Sequence, residues 1–285
     1  MTNNWIKYHS AQQQQCGYPD ILHSNTPDGL AVEENSGWSY IQTPPLNLQS
    51  LELPVVKQLT WIGDGPADAE ALKASLGTAP CHLLVESYNT DVLAILGKMN
   101  VQRTIFSQIK LLCHIDEFRS SQKKLPKDVC IRNMIPGEDE LRYAEFYNKA
   151  LGFLGSIVDT SFVRQIEKRA SFDPSGYFLA EKNEEVVGFL SIESEPWGRP
   201  GSGFGYIFQI GTDDEYHGSP LAASLLGNAM DFARARNLDR IGVGVRQSNT
   251  RARSFFAKHG FQESFRVVGY QFNPQSQPPH WNHAI

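Results

Sequence analysis

The stretch 206–261 constrains this chain more than any other. Residues 206–212 read as a strand, and a short loop then leads into a long amphipathic helix at 220–236. Leu221, Leu225, Ala229 and Phe232 recur at helical spacing and mark its buried stripe. A strand at 241–246 and a helix at 250–259, closed by Gly260, follow at once. The loop Tyr216-His217-Gly218-Ser219-Pro220 delivers the amides of a helix start, which attract anions because they lack intrahelical acceptors. Ser219 suits the capping position and Pro220 the first helical one, while Ala222 and Ala223 leave space beside the first turn. An ordinary capped helix would have the same sequence, so this segment alone leaves both meanings open.

The rest of the chain supplies the frame. A hairpin is expected from 29–32 and 38–41 around Asn35-Ser36-Gly37. Strands are expected at 55–62, 83–85 and 104–113, with helices at 67–76 and 91–99 between them. Residues 119–128 are charged and poor in apolar side chains, which marks a linker between a first unit, 1–118, and a second, 129–273. In the second unit a strand at 129–132 precedes helices at 139–150 and 161–170. Strands at 177–181 and 185–194 then flank a Lys182-Asn183-Glu184 turn, and 265–272 is the last strand. Residues 197–203 form a loop and 274–285 a flexible tail.

Composition narrows the partners. The net charge of −5 and the lack of a basic cluster speak against nucleic acid. No apolar run approaches the roughly 20 residues that span a bilayer, and the first residues lack the pattern of a signal peptide. Cys16, Cys81, Cys113 and Cys130 show no metal-binding spacing and fit reduced thiols in a cytoplasmic protein.

Asn249, Ala252, the pair Phe255-Phe256 and Gly260-Phe261, together with the loop 216–220, resemble the two acyl-CoA-binding motifs of the GNAT superfamily of N-acyltransferases. The resemblance covers about 145 residues and implies an α/β fold with a mixed central sheet, splayed at the cofactor strand and covered by helices on both faces. It implies an acetyl-CoA donor whose pantetheine pairs with the backbone of Ile210, Gly211 and Thr212. Its pyrophosphate would rest on the amides of His217, Gly218, Ser219, Leu221, Ala222 and Ala223. Asn249, Phe255 and Phe256 would border the cofactor arm. A primary amine, on a small molecule or a peptide N-terminus, would attack the thioester directly. A backbone N–H near Ile210 would hold the oxyanion. The chain departs from the family pattern at His217, where Arg or Gln is usual, at Pro220, where the middle glycine is usual, and at Phe256, where a proton-donating tyrosine is common.

Glu193, Glu195 and Asp213 are the candidate proton acceptors, with Asp214 beside them; each is equally readable as a solvated carboxylate. Tyr206 and Tyr270 are packing residues or proton donors. Trp197 covers a core edge or gates the acceptor pocket, and His259 faces a helix end. Shifted by 160 positions, Asn89-Thr90 falls on Asn249-Thr250, and Leu83 and Val85 fall on Val243 and Val245. This echo reads as a diverged duplication. The first half is then a truncated GNAT-like copy, whose turn Gly63-Asp64-Gly65-Pro66 is followed by acidic Asp68 and Glu70, which would repel a pyrophosphate. The expected activity is an N-acetyltransferase; the alternative is a weak or inactive acyl-CoA-binding regulator of the same fold.

Overall fold

The structure is a computed structural model that describes residues 31–35, 38–43, 56–61, 69–76, 80–87, 90–99, 101–120, 124–152, 157–195 and 201–274. In chain order its elements are β1 Ala31–Asn35, β2 Trp38–Thr43, β3 Val56–Trp61, α1 Ala69–Leu76, β4 Cys81–Glu86, α2 Thr90–Leu96 and β5 Val101–His114. These are followed by β6 Cys130–Asn133, α3 Glu140–Leu151, α4 Thr160–Glu167, β7 Tyr177–Lys182, β8 Glu185–Ser194 and β9 Phe204–Thr212. The last are α5 Leu221–Ala235, β10 Arg240–Arg246, α6 Thr250–Lys258 and β11 Gln262–Phe272. The expected elements are present, with some ends moved. Helix α2 stops at Leu96 because Gly97, a poor helix former, follows it. Strand β11 begins at Gln262 because that residue already pairs with Leu112 of β5. The β7–β8 hairpin turns through Asn183 and Glu184, both left-handed at φ 51° and 68°, as a two-residue turn of the primed type requires. Ser36, Gly37, the 63–66 turn, Asp68, Trp197 and the tail beyond residue 274 lie outside the described residues.

All eleven strands join one sheet, in the order β1-β2-β3-β4-β11-β5-β10-β9-β8-β7-β6. About the β11–β5 pair, β4 to β1 on one side answer β10 to β7 on the other, with β6 left over at the far edge. On one side β3 runs parallel to β4, and on the other β9 runs parallel to β10. The two halves have exchanged a strand. Strand β5 of the first half lies between β10 and β11, antiparallel to both. Strand β11 of the second half lies between β4 and β5, again antiparallel to both. The echo at a spacing of 160 therefore has a structural counterpart: β4, α2 and β5 repeat β10, α6 and β11.

Alternation along the strands divides the core. Ile109, Leu111 and Cys113 of β5 pack with Ile241, Val243 and Val245 of β10 beneath α5 and α6. Tyr143, Phe146 and Tyr147 of α3 pack with Val163 and Ile166 of α4 over Tyr177, Leu179 and Phe189 on the opposite face. A third cluster joins Leu72 and Leu76 of α1 and Val92, Ile95 and Leu96 of α2 to Leu83 and Val85 of β4 and Phe272 of β11. Helices thus cover both faces, as the sequence implied.

Candidate active site

Strands β9 and β10 are paired only from Phe204 opposite Arg240 to Ile207 opposite Val243. Beyond those residues they part. The parting coincides with a bulge, because Ser191 pairs with Gln209 and Ile192 with Ile207, so Phe208 has no partner on β8. A bulge bends its strand and strengthens the local twist, which turns β9 toward β8 and away from β10. The gap opens into a cavity of about 1000 Å³.

Eleven of the twelve residues expected at a cofactor line this cavity: Ile210, Gly211 and Thr212 from β9, His217, Gly218 and Ser219 from the loop, Ala222 and Ala223 from α5, and Asn249, Phe255 and Phe256 from the second motif. Leu221 is the exception, with its side chain fully buried in the core beneath α5. The loop differs in detail from expectation. Pro220 rather than Ser219 occupies the capping position of α5, and Ser219 Oγ accepts the Leu221 N–H at 3.2 Å. The amides of His217 and Ser219 are spent within the loop, on Asp214 O and Tyr216 O, each at 3.0 Å. The donors that remain for an anion are the amides of Gly218, Ala222 and Ala223, the last two being unpaired by their place in a first helical turn. Gly218 holds φ 81°, a conformation that brings its amide to the cavity wall at little steric cost. At the other lip, the Asn249 side chain accepts the Ala252 N–H at 3.0 Å and so starts α6.

The cavity also takes residues that the sequence did not single out. Lys149, Ala150 and Leu151 arrive from the end of α3, a helix with no sequence link to the motifs. Lys149 Nζ lies 2.7 Å from an Asp213 carboxylate oxygen, and that partner holds the ammonium above its ordinary range. Arg251 Nη1 donates to His217 Nδ1 at 2.6 Å across the mouth, joining the two motifs. Its position two residues after Asn249, in the first turn of α6, was the available signal. The Tyr216 hydroxyl is enclosed and has no partner.

The three candidate carboxylates are not brought together. Asp213 lines the cavity, paired with Lys149. Glu195 lies at the other end of β8, where it accepts the Gly203 N–H at 3.3 Å. Glu193 is on the sheet face opposite α5, in register with Tyr206, and only 1% exposed. It accepts from Tyr177 and Ser171 at 2.5 Å each and from Arg169 at 3.4 Å. Burial, with the charge of Glu193, pushes the Tyr177 phenol far above its usual range. On that same face Lys110 Nζ donates to the Tyr206 hydroxyl at 3.0 Å. His259 Nδ1 donates to the Phe255 carbonyl at 2.8 Å, the helix-end contact that its position implied. Phe256 is 2% exposed and packs edge-on to Phe255 and Phe261.

A mixed sheet that splits between two parallel strands, with a helix start at the base of the split, defines the acyl-CoA N-acyltransferase fold. Residues 140–261 match the sequence model of the Acetyltransferase (GNAT) family, and this part of the chain is a GNAT domain. Among solved structures, a GCN5-related N-acetyltransferase from Sphaerobacter thermophilus superposes with TM-score 0.70, over 96% of this chain and 92% of that one, at 14% identity. A tandem GNAT protein from the clavulanic acid biosynthesis pathway gives 0.66, over 96% and 95%, also at 14% identity. At this identity the likeness is one of fold, and it extends to the GNAT-like first half. Curated relatives include a mycothiol acetyltransferase of Thermobispora bispora, 30% identical over 48% of this chain and 48% of its own length. Another, from Acidothermus cellulolyticus, is 28% identical over 80% of this chain and 72% of its own. The chain spans about half the length of the first of these relatives. Among the described residues no helix is long and apolar enough to cross a membrane.

Proposed function

We propose that the chain is an N-acetyltransferase that binds acetyl-CoA in the β9–β10 split and passes the acetyl group to a primary amine on a small molecule or a peptide N-terminus. The observation that carries this is the parting of the two strands after Ile207 and Val243, over a cavity floored by the start of α5. The backbone of Ile210, Gly211 and Thr212, paired with β8 on one edge and parted from β10 on the other, suits a pantetheine arm, and the amides of Gly218, Ala222 and Ala223 suit a diphosphate. His217, Ser219, Asn249, Phe255 and Phe256 border it, and Leu221 contributes through the helix start that it anchors.

In the transfer the amine nitrogen bonds to the thioester carbon, the C–S bond breaks, and the thiolate leaves without a proton from Phe256. The ammonium proton goes to Glu193 through water or its hydroxyl partners, because Glu193 pairs with Tyr206 at the inner end of the split, on the sheet face opposite α5 from which the amine would enter. Glu195 and Asp213 are placed less well, at the far end of β8 and at the diphosphate end of the cavity. General acid–base assistance of this kind contributes about 10²–10⁴ in rate. Titration calorimetry with acetyl-CoA, followed by thiol release over an amine panel, tests the proposal. Saturable binding and amine-dependent thiol release are expected, and Glu193→Gln should lower kcat while acetyl-CoA affinity stays. The absence of binding heat would end the proposal. Binding without turnover on any amine would favour a regulatory acyl-CoA-binding protein, the second function that Phe256 and Pro220 admit.

A further inference from the structure

On the face of the sheet away from α5, β5 brings a group of donors to the point where β9 and β10 part. Gly244 of β10 pairs with Lys110 of β5 and is the first residue past Val243, the last to be paired with β9. A Cβ at Gly244 would stand 2.6 Å from Gln108 Nε2 and 2.9 Å from the Tyr206 hydroxyl. Two polar side-chain ends therefore converge over bare β10 backbone, and any larger residue at 244 would displace them. Lys110 Nζ joins them, donating one of its three protons to Tyr206 while lying 5.3 Å from that ring's centre.

The charge of this face is positive. Each of the three aromatic residues that β9 presents here has a cation against it: Arg240 at 6.0 Å from the Phe204 ring, Lys110 over Tyr206, and Arg169 at 5.7 Å from the Phe208 ring. Glu193 balances Arg169 but is buried and held by two hydroxyls as well. Asp239 lies 3.9 Å from Arg240 and is 70% exposed, so it screens that charge weakly. Such a concentration stands out in a chain of net charge −5.

We infer that the ammonium of Lys110 and the side-chain amide of Gln108 receive a carboxylate on the acceptor, so that the substrate is an amine that also carries a carboxylate. The inference rests on the proposed transfer reaction. A carboxylate offers lone pairs to both donors and turns the amine of the same molecule toward the split. Both donors belong to β5, so the first half of the chain takes part in choosing the acceptor.

The test compares free amino acids with their carboxamides, and adds 2-aminoethyl phosphate as a second anion, at saturating acetyl-CoA. A preference for the carboxylate of at least tenfold in kcat/KM is expected. It should shrink toward unity in Lys110→Gln, through KM for the acceptor, and persist in Lys110→Arg, with KM for acetyl-CoA unchanged in both. Equal use of acids and carboxamides by the wild type would overturn the inference. So would an equal loss on both in Lys110→Gln, or a phosphate preferred over every carboxylate. If acetyl-CoA binds but no amine turns over, the transfer proposal fails on its own. Calorimetry of N-acetyl amino acids and their carboxamides into the CoA-saturated protein then decides: carboxylate binding that Lys110→Gln abolishes supports the inference, and its absence refutes it.

Discussion

Asp139 accepts two N–H groups from Arg132, at 2.6 and 2.8 Å, and the Ile135 amide at 2.7 Å, just ahead of α3. The Arg132 hydrogen bonds, above all, hold its carboxyl below the ordinary aspartate range. A group whose folded pKa is depressed stabilises the fold above its unfolded pKa and loses that contribution as pH falls through the folded value. Acid unfolding is therefore expected to draw on this pair from about pH 4 downward. Asp139→Asn should cost about 3 kcal/mol in urea unfolding at pH 7, because it leaves Arg132 without its best partner, and it should flatten the acid limb. Cys113 is 1% exposed, and burial, with Glu117 and Asp116 nearby, pushes its thiol up to about 11. At pH 8 a thiol reagent should modify the exposed Cys130 promptly and reach Cys113 only on unfolding; mass mapping of the labelled peptides checks this. At this scale the sequence was informative where a residue acts on its neighbours. The Asn249 cap and the Gly218 turn could be read directly because their partners lie within a few residues. The Arg251–His217 and Lys149–Asp213 contacts could not, because each joins residues far apart in the chain.

Strand β5 was readable as a strand, and its alternation of Ile109, Leu111 and Cys113 with Gln108, Lys110 and Leu112 was there to be seen. Its destination was not. Periodicity says which face a residue takes but never which strand lies alongside, and β5 finds its neighbours more than a hundred residues away. The bulge at Phe208 was hidden for a similar reason, since it exists only relative to Ser191 and Ile192 on β8. One consequence can be measured. Ile109 is fully buried in the core beneath α5, although it comes from the first half of the chain. Ile109→Ala should cost about 3 kcal/mol, and by loosening β10 it should weaken acetyl-CoA binding as well. Unchanged stability in a denaturant titration would contradict the placement of β5.

For the molecule as a whole, the duplication legible at a spacing of 160 residues is realised as two units that complete one another's sheet. Their separation in sequence, with a polar stretch between, gave no hint of this, because hydrogen bonds between strands leave no trace in composition. Removing residues 261–285 should therefore unfold the first half as well as the second, detectable as loss of far-UV dichroism and protease resistance across the chain. The exchange also sets an order of events during synthesis. The place between β4 and β5 stays vacant until β11, which follows β5 in the chain only after β6 to β10 have been made, leaves the ribosome. Until then both bordering strands present unsatisfied backbone edges, the kind that recruit foreign strands. Folding of the first half thus waits for the second, and a nascent chain stalled before β11 should be a client for chaperones.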